Sequence, residues 1–160
     1  MVAWVDHGYG GGMTRARVSV DVNATPEDVW KVIANPRNLT RWDRHVTKVE
    51  GAPKDGLSKG SEYSTSIRFA GVGARVDAEV LEIHPPRYSK VRLKGLMDAT
   101  VETTVEPLGN GRSRIHHQVE YQLRGGPLGR MAATALRLTG GPQLALRRGT
   151  LAQKRQVEEG

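Results

Sequence analysis

The 160-residue chain contains no cysteine, which excludes disulfide staples, thiolate nucleophiles and thiolate metal ligands. Aromatic residues are scarce: one Phe, four Tyr and three Trp, with none between Arg124 and Gly160. The last quarter of the chain therefore offers no platform on which nucleic-acid bases would stack. No run approaches the roughly 20 apolar residues that span a bilayer. The N-terminus, with Asp6, His7 and a glycine cluster, lacks the apolar centre of a signal peptide. With no disulfide to protect and no membrane segment, the expected setting is the cytoplasm. At this length one domain with a sizeable core is expected, burying roughly 70% of the surface of the unfolded chain.

Acidic residues are absent from one long stretch. Between Tyr121 and Val157 there is none, whereas Arg124, Arg130, Arg137, Arg147, Arg148, Lys154 and Arg155 supply seven positive charges. That segment accounts for the whole net charge of +7. A basic stripe of this kind would suit an anionic membrane surface, nucleic acid or an acidic carrier protein, but a solvated helix face is the plainer explanation. Nucleic acid is the least favoured of these partners.

What the sequence does contain is organised around residues Val18 to Val49. Val18, Val20 and Val22 alternate with polar residues, the period of a half-buried strand. Thr25 stands as N-cap before Pro26, with Glu27 and Asp28 in the first helical turn. Before this stretch, residues 1–13 read as a flexible leader, with Met13 a possible natural start. Its cluster Gly8-Tyr9-Gly10-Gly11-Gly12 lacks the preceding strand and the Gly-Lys-Ser/Thr of a phosphate loop.

After it, extended segments are expected at Val46 to Glu50, Ser61 to Phe69, Val76 to Ile83, Tyr88 to Leu93, Val101 to Val105 and Ser113 to Leu123. The parity change from Val80 to Leu81 and Ile83 predicts a bulge. Asn110-Gly111 predicts a tight hairpin. Beyond Gly125-Gly126-Pro127 a helical apolar stripe runs through Leu128, Met131, Ala132, Ala135 and Leu136. Gly140-Gly141-Pro142 then interrupts it, because a helix-interior proline costs about 3 kcal/mol and each glycine about 1 kcal/mol. Consecutive antiparallel strands with helices at both ends give an α+β domain.

The run Ala24-Thr25-Pro26-x-x-Val29-Trp30-x-Val32-Ile33-Ala34-Asn35-Pro36-x-x-Leu39-x-x-Trp42 resembles the opening of the START-like (SRPBCC) superfamily, particularly its polyketide cyclase/dehydrase branch. The resemblance implies a helix-grip fold over residues 14–160, with about six or seven antiparallel strands curved around a C-terminal helix and an apolar cavity between them. A single unbroken helix is usual in that family; here a helix kinked near Gly140 to Pro142 is expected. The resemblance also implies a small hydrophobic ligand, lipid or polyketide-like, and places Trp42 near the cavity mouth.

Few residues carry chemistry. His116 and His117 are strand neighbours and point to opposite faces, so they are no metal pair. His7, His45 and His84 are scattered, Asp21, Glu62 and Asp77 fall on polar faces, and neither a metal nor a cofactor is expected. Covalent catalysis is expected to lack a nucleophile. His117 is the titratable side chain on the predicted dry face, between Ile115 and Val119, with Tyr121 beyond it and Tyr63 on another strand. The expected lining of the cavity is Trp42, Tyr63, Ile67, His117, Tyr121, Leu128, Met131 and Ala135. Binding or carriage of an apolar molecule is preferred. The alternative is a polyketide cyclase/dehydrase using His117 with Tyr63 or Tyr121 as acid/base, its basic helix meeting an acidic carrier. For His117 the plainer role is a hydrogen-bonded core histidine.

Overall fold

Thr25 is extended (φ −69°, ψ 157°) and its hydroxyl accepts the Asp28 N–H, so helix α1 (Pro26–Ile33) begins where the capping signal puts it. Its buried side is set by Val29, which is fully enclosed, while Glu27, Asp28 and Lys31 stay outside. Asn35 accepts the Arg37 N–H and starts a single 3-10 turn, Pro36–Asn38, that runs directly into the four-residue helix α2 (Leu39–Trp42). The computed structural model describes residues 3–6, 14–69, 71–95, 97–123, 126–138 and 140–160; for 3–6, 69, 72, 97, 123, 128, 131–132, 135–137 and 142 only the backbone is described.

Among the described residues eight strands form one antiparallel sheet. They are β1 (Ala3–Asp6), β2 (Thr14–Val22), β3 (Val46–Glu50), β4 (Glu62–Phe69), β5 (Val72–His84), β6 (Tyr88–Lys94), β7 (Met97–Gly109) and β8 (Arg112–Leu123). Their spatial order is β1-β2-β8-β7-β6-β5-β4-β3, so hairpins connect β3 through β8 and β2 closes back onto β8. Strand β1 lies in the segment expected to be a leader and adds an edge to β2, pairing Ala3 with Val18. The other seven strands match the number expected. The predicted bulge is present, as a register shift between Val80 and Glu82. Asn110 (φ 55°) and Gly111 (φ 69°) form the predicted tight turn, since a side chain as short as Asn tolerates the left-handed region.

Two helices follow the sheet. Helix α3 (Gly126–Leu138) and helix α4 (Pro142–Glu159) are separated at the point the Gly-Gly-Pro signal predicts, with Gly140 at φ 86° and Gly141 at φ 96°. Helix α4 packs chiefly along β2 and also touches α1 and α2. The densest core lies at this crossing, where Val20, Val22, Val29, Val105 and Ile115 pack together and are joined by Trp30, Ile33, Leu151 and Val157. Ile115 is 0% exposed there, and truncating such a side chain to alanine typically costs about 2–5 kcal/mol. Outside, ionic and polar pairs tie neighbouring strands: Arg15 to Glu120, Arg17 to Gln118, Asp21 to Arg114 and Lys90 to Glu102. These are half-exposed pairs, worth at most about 1 kcal/mol each.

Two glycines separate backbone demand from mere helix entropy. Gly95 adopts φ +151° and a Cβ there would collide with the Arg75 carbonyl oxygen, so backbone would have to move. Gly149, inside α4, has an ordinary φ and room for a Cβ at 3.7 Å from the Trp42 ring. Gly95→Ala is therefore expected to lower stability by about 2 kcal/mol or more. Gly149→Ala should raise it by about 1 kcal/mol, or about 2–4 °C in Tm. Thermal melts of the two variants beside the parent check both signs.

Candidate functional site

The strand registers decide which side chains share the inner face. One row across the sheet reads Tyr63, Ala78, Leu93, Ala99, Tyr121 and Thr14; the next reads Val80, Val91, Val101, Val119 and Ala16. A third runs Ile83, Ser89, Thr103, His117 and Val18. Ile67 and Thr65 lie on the same face of β4, opposite Val46 and Val49 of β3. Tyr63, Ile67, His117 and Tyr121 are thus brought onto one face, as their alternation predicts. Among the described residues no Asp, Glu, Lys or Arg occupies any of these inner positions.

Burial along this face is uneven, and the unevenness locates the hollow. Where α4 crosses, Val18, Val20, Val105 and Ile115 are sealed. In the middle of the sheet, Val91, Val101 and Val119 stand side by side on three adjacent strands and are only half-buried, as are Leu93, Ile67 and Tyr63. These central, inward-pointing valines keep part of their surface exposed, so among the described residues nothing seals this part of the concave side. Trp42 stands at one margin, its ring beside Gly149 of α4. The side chains of Leu128, Met131 and Ala135, expected to form the opposite wall, lie outside those described.

His117 is 7% exposed and both of its ring nitrogens are engaged. Nδ1 lies 2.9 Å from the Thr103 hydroxyl and Nε2 lies 2.6 Å from Oε1 of Gln153 on α4. With Gln153 presenting its carbonyl oxygen, Nε2 carries the proton and donates, and Nδ1 accepts from Thr103. Burial holds the imidazole below its usual range despite the Gln153 hydrogen bond, so the ring is neutral. The result is a bridge from β7 through β8 to α4. Gln153 and Thr103 are the site residues that the sequence reading passes over. The signal for Gln153 is its spacing with Leu146, Thr150 and Val157, which form the inward stripe of α4.

The two tyrosines are differently placed. Burial pushes the Tyr63 phenol up to about 12, so it is a permanent donor and no base at neutral pH. Tyr121 is buried in the same row, four strands away on β8. Among the described residues neither hydroxyl has a hydrogen-bond partner.

Other features lead away from catalysis. A groove of about 610 Å³ is lined mostly by outward-facing residues, among them Glu50, Glu62, Ser64, Arg75, Asp77 and Lys94, and also by Tyr63 and Ala78. Its charges are largely mutual, as in Arg75 with Asp77 and Ser64 with Asp77. Gly56-Leu57-Ser58-Lys59-Gly60 does match Gly-x-Ser-x-Gly, contrary to the expectation that no serine nucleophile stands out. The match is without context: Ser58 sits in an exposed loop between two antiparallel strands and bonds to Ser61, not to a histidine. Among the described residues no His, Asp and Glu cluster has metal-binding geometry. In the basic segment, Lys154 turns back to the Asp21 carbonyl and Glu158, while Arg130, Arg147 and Arg155 are exposed. No described helix is long and apolar enough to cross a membrane.

Residues 13–152 match the sequence model of a family described as polyketide cyclase / dehydrase and lipid transport. No curated relative matches. Among solved structures, the Zhui aromatase/cyclase from Streptomyces sp. R1128 superposes with a TM-score of 0.68 at 15% identity, covering 91% of this chain and 96% of that one. A START superfamily protein from Mycobacterium smegmatis gives 0.68 at 15% identity, covering 93% and 99%. Norcoclaurine synthase from Thalictrum flavum, in complex with dopamine and hydroxybenzaldehyde, gives 0.62 at 18% identity, covering 92% and 87%. At these identities the likeness is one of fold, and the fold is the helix grip.

Because His117 is held neutral, its pKa is lower folded than unfolded, and the unfolded chain binds the extra proton first. Its contribution to stability is full above about pH 6.5, the ordinary histidine value, and is lost as acid is added below that. His117→Gln, whose amide can donate to Gln153 and accept from Thr103, is expected to flatten the stability profile as the pH falls below about 6.5. Urea unfolding of both proteins across that range reads the difference, with a limiting slope of about 1.4 kcal/mol per pH unit for one proton.

Proposed function

The chain belongs to the polyketide cyclase/dehydrase and lipid transport family, and on that premise we propose that it binds or carries a small, apolar molecule in the hollow between the sheet and α4. The observation that carries this reading is the row of half-buried Val91, Val101 and Val119 in the centre of the inner face. Apolar surface left wet at the centre of a sheet is surface that a ligand would remove from water, at roughly 25 cal/mol per Å². Trp42, Tyr63, Ile67 and Tyr121 surround the same space. Leu128, Met131 and Ala135 of α3 complete its wall in this reading. Such a site, mostly apolar with a few polar groups for orientation, is the usual form of a small-molecule pocket.

His117 serves here as a fixed strut. Its Nε2 proton and its Nδ1 lone pair are both spent on Gln153 and Thr103, so proton transfer to a substrate would first require breaking one of those bonds. The alternative, a cyclase/dehydrase, is favoured by one observation, the unpartnered Tyr63 phenol, which can donate to a substrate carbonyl without moving the His117 bridge. An acidic carrier protein meeting Arg130, Arg147 and Arg155 belongs to that alternative.

Organic extraction and native mass spectrometry of protein purified from its source should reveal a copurifying apolar molecule. Val101→Trp, which fills the centre of the hollow, is expected to weaken its rebinding by at least about tenfold while Tm is held or raised. Binding should vary little between low and high salt, since none of the described inner-face positions of the sheet carries a charged side chain. Retained affinity in the Val101→Trp variant would remove the hollow as the site.

A further inference from the structure

On the outer face of the sheet, side chains from three strands form a continuous polar relay. Ser19 of β2 and His116 of β8 stand directly opposite each other in register. Glu106 of β7 lies two residues beyond Thr104, the partner of His116 on its other side. The imidazole spans the gap: its Nδ1 lies 2.6 Å from the Ser19 hydroxyl and its Nε2 lies 3.2 Å from Oε2 of Glu106. A carboxylate only accepts, so in the neutral ring Nε2 carries the proton and the lone pair of Nδ1 faces the serine hydroxyl. Ser19 thus donates to a ring whose tautomer is set from behind.

Nucleophile, base and orienter stand here in the roles that acyl transfer needs. Such a set is recognised by geometry and not by spacing in sequence, so nothing local to Ser19, Glu106 or His116 signals it. Strand alternation puts His116 on the face opposite His117, which separates the relay from the hollow and from the bridge to Thr103 and Gln153. The relay is also reachable: Ser19 is half-buried, and the His116 and Glu106 side chains are 40% and 54% exposed. Arg17, two residues before Ser19 on the same face, donates through Nε to Gln118, and its other guanidinium N–H groups have no partner among the described residues. A cation beside the nucleophile can meet the oxyanion that acyl transfer creates.

We propose that Ser19 is an acyl-accepting nucleophile and that this outer face hydrolyses activated esters, those with a good leaving group such as a phenolate. Oγ attacks the carbonyl carbon as Nδ1 of His116 takes the hydroxyl proton. The bond from that carbon to the leaving oxygen then breaks, His116 returns the proton to the departing oxygen, and O-acyl-Ser19 remains. Water attacks the acyl carbon in turn, losing a proton to Nδ1. Release of the carboxylic acid, with that proton passed to Oγ, restores the serine hydroxyl. A half-exposed sheet face encloses no acyl chain, so selectivity follows the leaving group and not the acyl length. Glu106 is a positioning residue, acting only through the ring.

The test uses p-nitrophenyl acetate and p-nitrophenyl butyrate with the full chain, reading p-nitrophenolate release by absorbance and the acylated residue by peptide mass mapping. The parent should carry the acyl group on Ser19 and release p-nitrophenolate about ten- to a hundredfold faster than Ser19→Ala. The two esters should react within about threefold of each other, since the acyl chain is not held. His116→Gln keeps hydrogen-bonding groups for Ser19 and Glu106 but takes up no proton, so it should be as slow as Ser19→Ala with Tm held. Glu106→Gln, whose amide oxygen still accepts from Nε2, should keep most of the rate, whereas Glu106→Leu should lose about three- to tenfold. A Ser19→Ala rate equal to the parent's, an undiminished rate in His116→Gln, or acyl groups found only on lysine or histidine would each overturn the proposal. None of these outcomes bears on ligand binding in the hollow, which lies on the other face.

Discussion

The pairing of β2 with β8 is the constraint on which the rest of the structure depends. It joins residues about a hundred positions apart, from Thr14 against Tyr121 to Val22 against Ser113. Because β2 leads into α1 and β8 leads into α3 and α4, this one ladder delivers all the longer helices to the same concave side. The sealed cluster of Val20, Val22, Val29, Val105 and Ile115 sits directly on it. So long a loop closure carries an entropic cost that grows only slowly with length, and the apolar surface buried along the ladder offsets it. Outer pairs such as Asp21 with Arg114 then fix register, since a slip of one residue would turn every inner valine outward.

His117 occupies the same ladder, paired in register with Val18. From there it reaches sideways to Thr103 and upward to Gln153, so that sheet and helix are held at a set separation by three polar side chains inside an apolar layer. A fully satisfied buried network of this kind specifies one arrangement, because any other leaves donors or acceptors bare. Beyond this strut lies the hollow of the proposed reading. Its floor is built of Val and Ala where larger side chains would have filled it.

Much of this was legible in the sequence, and the part that was not has a physical reason. Strand faces follow from a two-residue period, so Tyr63, Ile67, His117 and Tyr121 could be assigned to one side without a structure. The Thr25 cap and the Gly140 to Pro142 break are local backbone chemistry and were equally readable. Which polar group meets His117 is a matter of how α4 lies across the sheet, and nothing local to Gln153 records that crossing. The strand at Ala3–Asp6 was unreadable for a related cause: an edge strand is defined by its neighbour, and four residues beside a glycine cluster carry no period of their own. The Ser58 pentapeptide shows the converse, a pattern present in sequence whose meaning disappears once its loop is seen.

The half-wet valines have a thermodynamic consequence of their own. Water over Val91, Val101 and Val119 is hydrating apolar surface inside a concavity, and its release on filling would appear as a negative change in heat capacity. With no Asp, Glu, Lys or Arg at those inner positions and His117 tied to Thr103 and Gln153, occupancy would bring little accompanying proton exchange from the sheet. A calorimetric trace run in buffers of different ionisation enthalpy would then overlay, and temperature would be the variable to which the interaction responds.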